Sequence, residues 1–224
     1  IVLSNFGEES GFTQIKIGAN SVRDTSGNGN TEKIINVGNP NGEEPFKSSI
    51  VDFIKPEVNK ISSTVDSVNK TEKIVFTVTD KYFKSSDINK ENIIVKVDGD
   101  IVTDLTRDLT VTDLTEQRTV NGITSTVKYG EQYTLVLSEF QKNKYNKEYL
   151  EWSGNVTIEI PEKLVKDTSN NTNDKSKIKC DFVDFIKPQI TYKYSNTTID
   201  KTNKTLNVVF EVREKYFSSC NITD

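Results

Sequence analysis

Residues 51–56 spell VDFIKP, and the same six letters return at residues 183–188, 132 positions later. This internal repeat constrains the fold more than any other feature, because it makes the chain modular. The period is about one β-sandwich of chain, so the hexapeptide marks the passage from one unit to the next. Its surroundings agree. Residues 64–83 and 198–217 are identical at 11 of 20 positions at an offset of 134, so the second copy has gained two residues after its proline. Upstream, IVLSNF at Ile1 resembles LVLSEF at Leu135, and SVRDTSGNGN at Ser21 resembles LVKDTSNNTN at Leu164. The chain therefore reads as the C-terminal part of one repeat (1–50), a complete repeat (51–182) and the N-terminal part of a further repeat (183–224), with cut ends.

Within the repeat the periodicity is that of strands. Ile74, Phe76 and Val78 alternate with polar residues, and the homologous stretch sets Glu211 and Arg213 opposite Val208, Phe210 and Val212, which identifies the wet face. Asp98-Gly99 is a favoured two-residue turn between strands at 93–97 and 101–105. A weaker strand is expected at 109–114, and Asn121-Gly122 is another turn signal before a strand at 123–129. Tyr133, Leu135 and Leu137 form one inward row, Val156, Ile158 and Ile160 a second, and Ile178, Cys180 and Phe182 a third. In the leading segment, strands are expected at 1–6, 12–17 and 32–37. Seven to nine short strands with turn signals every 8 to 14 residues predict an all-β fold of tandem immunoglobulin-like antiparallel β-sandwich repeats, one complete and two partial; a barrel is the weaker alternative.

Composition narrows the function classes. Twenty-nine basic and 33 acidic residues are interspersed, net −4, and leave no basic stripe for phosphates, so nucleic acid is not an expected partner. No run of about 18 apolar residues is present, so no membrane span is expected in this segment. Histidine is absent, as are a nucleophile elbow and a phosphate-cradling glycine loop, and the reading is not an enzyme. Cys180 and Cys220 align with Ser48 and Ser86; a bridge between them and two unpaired thiols are both compatible with the spacing.

Two candidate sites stand out. Asp24, Ser26, Asn28 and Asn30 fall at positions one, three, five and seven of a loop with Gly29 at position six, a spacing that suits calcium. Position twelve is Ile35, and a turn held by side-chain to backbone bonds explains the same residues. No cofactor other than this calcium is implied. Asp52 and Asp184, at the unit junctions, are further oxygen donors for an ion that would stiffen the linker. In the excursion QKNKYNKEYLEWSGN, Tyr145, Tyr149 and Trp152 recur at helical spacing; exposed, they would make a stacking platform for a sugar or a protein partner, and buried, a cap on one end of the unit.

The strand ending Val78-Thr79-Asp80, the late strand GNVTIEI, the loop VKDTSNNTN and a linker of Val-Asp-x-x-x-Pro form resemble the tandem Ig-like repeats of bacterial cell-surface and adhesin proteins. The resemblance covers the whole chain in three registers. It departs in length, since about 130 residues exceed the ~100 of a minimal Ig-type sandwich. It implies an extracellular location at the cell surface or cell wall, a stalk or spacer role, neighbouring repeats as the principal partners, and no catalytic residue. The alternative is a module that binds host glycan or protein, accessory to a secreted glycan-active enzyme.

Overall fold

A computed structural model describes residues 10–11, 13–37, 51–120, 123–140, 153–214 and 216–220. The leading segment holds β1 (Ser10–Gly11), β2 (Thr13–Ile17) and β3 (Lys33–Val37). The central unit contains β4 (Val51–Asp52), β5 (Glu57–Asp66), β6 (Thr71–Thr79), β7 (Phe83–Ser86), β8 (Ile94–Val97), β9 (Asp100–Ile101), β10 (Thr106–Val120), β11 (Ile123–Ser138), β12 (Ser153–Ile160), β13 (Val165–Asp167) and β14 (Ser176–Asp184). The tail holds β15 (Gln189–Tyr192), β16 (Thr198–Asp200), β17 (Thr205–Asn207) and β18 (Phe210–Arg213). Every pairing between strands is antiparallel, and no α-helix occurs among the described residues.

The central unit is organised by two four-stranded sheets, ordered β10-β11-β6-β5 and β14-β12-β8-β9, with β7 and β13 paired beside them. Alternation along the strands sends one face of each sheet inward. Ile74, Phe76, Val78, Tyr133, Leu135 and Leu137 from the first sheet meet Val95, Val97, Val156, Ile158, Ile160 and Ile178 from the second in a single apolar cluster. The rings of Phe76 and Tyr133 stack with centroids 5.0 Å and planes 7° apart. Removing a side chain of this size from water is worth about 2–3 kcal/mol, so this face works against the chain's conformational entropy.

Three local features depart from the sequence expectation. The strands expected at 123–129 and 133–137 are one strand, β11, because it bulges at Tyr129 and continues through Gly130. A Cβ on Gly130 would lie 2.3 Å from the Val78 carbonyl oxygen, so only glycine permits β11 to approach β6 there. The hairpin partner after Asp98-Gly99 is only the two residues of β9; both turn residues have positive φ, 49° and 95°, and Val102 and Leu105 then turn into the core. Phe182 is 40 % exposed rather than inward. A bulge between the Asn155–Phe182 and Thr157–Lys179 pairs shifts the alternation of β14 by one, so Val183 takes the buried place instead.

Local geometry repeats with the sequence. The loop joining β2 to β3 and the loop carrying β13 between β12 and β14 show the same bonds 143 residues apart. Asn28 donates its backbone N–H and its side-chain amide to Asp24, as Asn171 does to Asp167. Asn30 accepts from the Val22 N–H and donates to the Gly18 and Thr31 carbonyls, while Asn173 accepts from the Val165 N–H and donates to those of Pro161 and Asp174.

Candidate functional site at the repeated hexapeptide

The hexapeptide has two sides. In the second copy, Val183 and Phe185 belong to the core of the unit they follow. Phe185 packs edge-on to Phe140, with centroids 5.3 Å apart, and the Lys70 ammonium lies 5.0 Å from its ring. In the first copy, Asp52 and Pro56 are buried, and β4 pairs with β1 through Ser10 and Asp52. Both copies turn the same way: Asp52 Oδ1 accepts the Ile54 N–H at 3.1 Å, and Asp184 Oδ1 accepts the Ile186 N–H at 3.2 Å.

Asp52 is held beside two further carboxylates. Asp80 directly follows β6; its N–H donates to the Tyr129 carbonyl at 2.8 Å and its Oδ1 accepts the Tyr82 N–H at 2.6 Å. Asp167 ends β13, which pairs with β7. The Asn171 side chain ties the set together, donating to the Asp52 carbonyl at 2.8 Å and to Asp167 Oδ2 at 2.6 Å. Asp52, Asp80 and Asp167 are 5 %, 8 % and 0 % exposed, and each offers an oxygen within 4.8 Å of the others. Asp52 Oδ2 is buried and has no hydrogen-bond donor among the described residues. A cleft of about 390 Å³ lined by Ile54, Lys55, Asp80, Arg118 and Tyr129 lies alongside.

The electrostatics follow from burial. Desolvation pushes Asp52 above the ordinary carboxylate range; the Ile54 N–H opposes this and the Asp167 charge adds to it. Asp80 is pushed up to about 6, again chiefly by desolvation, with the Tyr82 N–H and Arg118 pulling down and the Asp52 and Asp167 charges pushing up. Lys81 also favours the Asp52 anion. Close, buried like charges are unfavourable unless a proton or a cation intervenes.

The sequence-derived candidates fall in different places. Asp24 lies in its own loop, where the Ser26 N–H, the Asn28 N–H and the Asn28 amide all donate to its carboxylate, holding it below the ordinary range, chiefly through Asn28. Asn30 closes the base of that loop. Tyr145, Tyr149 and Trp152 lie outside the described residues, and so does the strand expected at 1–6. Cys180 and Cys220 are free thiols, the first half-buried and pushed up to about 12 by burial, the second exposed. Of the buried triad, sequence reasoning singled out Asp52 and passed over Asp80 and Asp167. The signal was present in the repeats: Asp167 aligns with Asp24, Asp52 with Asp184, and Asp80 with Glu214, an acid at every available copy. Among the described residues, no helix is long and apolar enough to cross a membrane. No family model, curated protein or solved structure matches the chain.

Proposed function

We propose that the chain is a spacer segment of a large extracellular surface protein, an adhesin stalk built from tandem Ig-like β-sandwich units. The observation that carries this reading is the two-sided hexapeptide. Val183 and Phe185 complete the core that precedes them, whereas Asp52 and Pro56 are buried at the start of the unit that follows. A linker spent in this way on both neighbours leaves little free chain between units, and short linkers between units of one design let a series of them project a distal tip. The matching loops around Asp24 and Asp167 support the same reading, since successive units then share one local design. No catalytic step is assigned to the segment.

The test is a blot of source cells with an antibody to the central unit, comparing intact cells, stripped envelopes and culture medium. A very large band retained at the surface is the expected result. A modest band free in the medium would overturn the spacer reading in favour of an accessory module of a secreted protein.

A further inference from the structure

We propose that Asp52, Asp80 and Asp167 hold one divalent cation of the calcium class, fastening the hexapeptide to the unit that follows it. The three carboxylates reach one point from three separate places in the chain: β4, the residue just past β6 and the end of β13. Their oxygens lie within 4.8 Å of one another. Two oxygens on one calcium ion, each at about 2.4 Å, are separated by at most about 4.8 Å, so the cluster has the dimensions of a single coordination shell. The donor set is all oxygen, which selects a hard cation over zinc or copper.

A second observation points to a ligand independently of the clustering. Asp52 is 5 % exposed, one of its oxygens is occupied by the Ile54 N–H, and the other, Oδ2, has no donor among the described residues; the Asp52 carboxylate lies beside that of Asp167. A buried carboxylate oxygen with no donor has lost its hydration without a replacement, and a bound cation supplies the missing partner. Among the described residues, Lys81 acts on Asp52 and Arg118 on Asp80 through charge, and neither donates a hydrogen bond to a carboxylate of the set. Asn171 holds Asp167 and the Asp52 backbone in place without neutralising either.

The internal repeats add a third line. At the second junction, Asp184 and Glu214 stand where Asp52 and Asp80 stand at the first. Glu214 Oε1 accepts the Tyr216 N–H as Asp80 Oδ1 accepts that of Tyr82, and Glu214 Oε2 is buried without a donor among the described residues. The third acid of that set would correspond to Asp167 and has no counterpart in residues 183–224. One complete site per chain is therefore expected. The site rests on the geometry of the central unit, so it stands or falls separately from the surface-spacer reading.

The test uses the whole 224-residue chain, stripped with chelator, in a calorimetric titration with calcium chloride and in thermal melts with and without calcium at matched ionic strength. The expected result is one calcium per chain and, at 100-fold excess over Kd, a melting temperature higher by about 5 °C or more. Asp52→Asn, with its far-UV circular dichroism unchanged, is expected to lose both the heat and the shift. Absence of binding heat together with identical melting curves for the unsubstituted chain at 10⁻² M calcium (about ten times the weakest extracellular sites) would overturn the proposal. So would an equal rise on adding potassium chloride, or a full calcium response in the folded Asp52→Asn variant. Should Asp52→Asn fail to fold, Asp80→Asn takes its place, and a full calcium response in the folded Asp80→Asn variant would equally overturn the proposal.

Discussion

β6 and the segment that repeats it, β17 with β18, share a sequence pattern and differ in burial. Ile74, Phe76 and Val78 are wholly buried, whereas Val208 and Phe210, the counterparts of the first two, are 53 % and 40 % exposed. The hydrogen-bonded frame is nevertheless the same. Asp66 pairs with Thr71 and Glu57 with Thr79 in the central unit, as Asp200 pairs with Thr205 and Gln189 with Arg213 in the tail. Both hairpin turns are closed by an aspartate accepting from the residues two and three further on, and both end on a lysine at positive φ, 55° for Lys70 and 56° for Lys204. Local sequence therefore suffices for the hairpin, and burial comes from partners distant in the chain. β6 has β11 along its free edge through the Gly130 to Leu137 pairs, and no strand among the described residues plays that part for β18.

The largest expected effect separates the two copies by a core truncation. Phe76→Ala is expected to lower the unfolding free energy by about 3–5 kcal/mol, and Phe210→Ala by less than about 1 kcal/mol, both read from urea denaturation. Equal costs would mean that the tail's apolar face is covered as thoroughly as the core, and the comparison would break.

A pH dependence sharpens it. Glu72 in β6 is wholly buried beside Ser63 and Asp181, while its counterpart in the tail is Leu206. Desolvation raises Glu72 from 4.5 to about 7, against the hydrogen bonds from the Ser63 hydroxyl and the Asp181 N–H. The unfolded chain releases this proton near 4.5 and the folded chain retains it to about 7. Stability is therefore expected to fall as pH rises through that window, by about 3 kcal/mol in all, and to be flat with respect to this group above it. Glu72→Leu, which installs the tail's residue, is expected to remove that slope; a variant with the same slope as the parent would assign it to other carboxylates.

The smallest effect concerns the turns. Relieving a left-handed lysine with glycine is worth up to about 1 kcal/mol, so Lys204→Gly is expected to raise amide protection in its hairpin. Lys70→Gly is expected to give no net gain, because Lys70 also stacks on Phe185 and donates to its carbonyl. Proton-exchange rates of the two hairpins measure both; a gain of the same size at Lys70 would show that the Phe185 contact contributes nothing.

Much of the fold was legible because it is written locally. The alternation of Ile74, Phe76 and Val78, the Asp98-Gly99 turn and the rows at 133–137 and 156–160 follow from period and turn residues alone. What escaped depended on contacts between distant segments. The exposure of Phe182 follows from a bulge set by β12, and the continuity of β11 follows from the close approach of Gly130 to β6. The buried acids are half legible. Asp52 is visible in the repeated hexapeptide, but Asp80 and Asp167 sit in a turn and a strand end whose own chemistry explains an aspartate, and only the fold brings the three together.

The most direct test of the account is native-state hydrogen exchange on the intact chain, comparing the amides of residues 74–78 with those of 208–212. If burial by distant partners, rather than the local code, decides stability, the first set exchanges only through global unfolding and the second at least ~10²-fold faster by local opening. Equal protection of the two sets would contradict it.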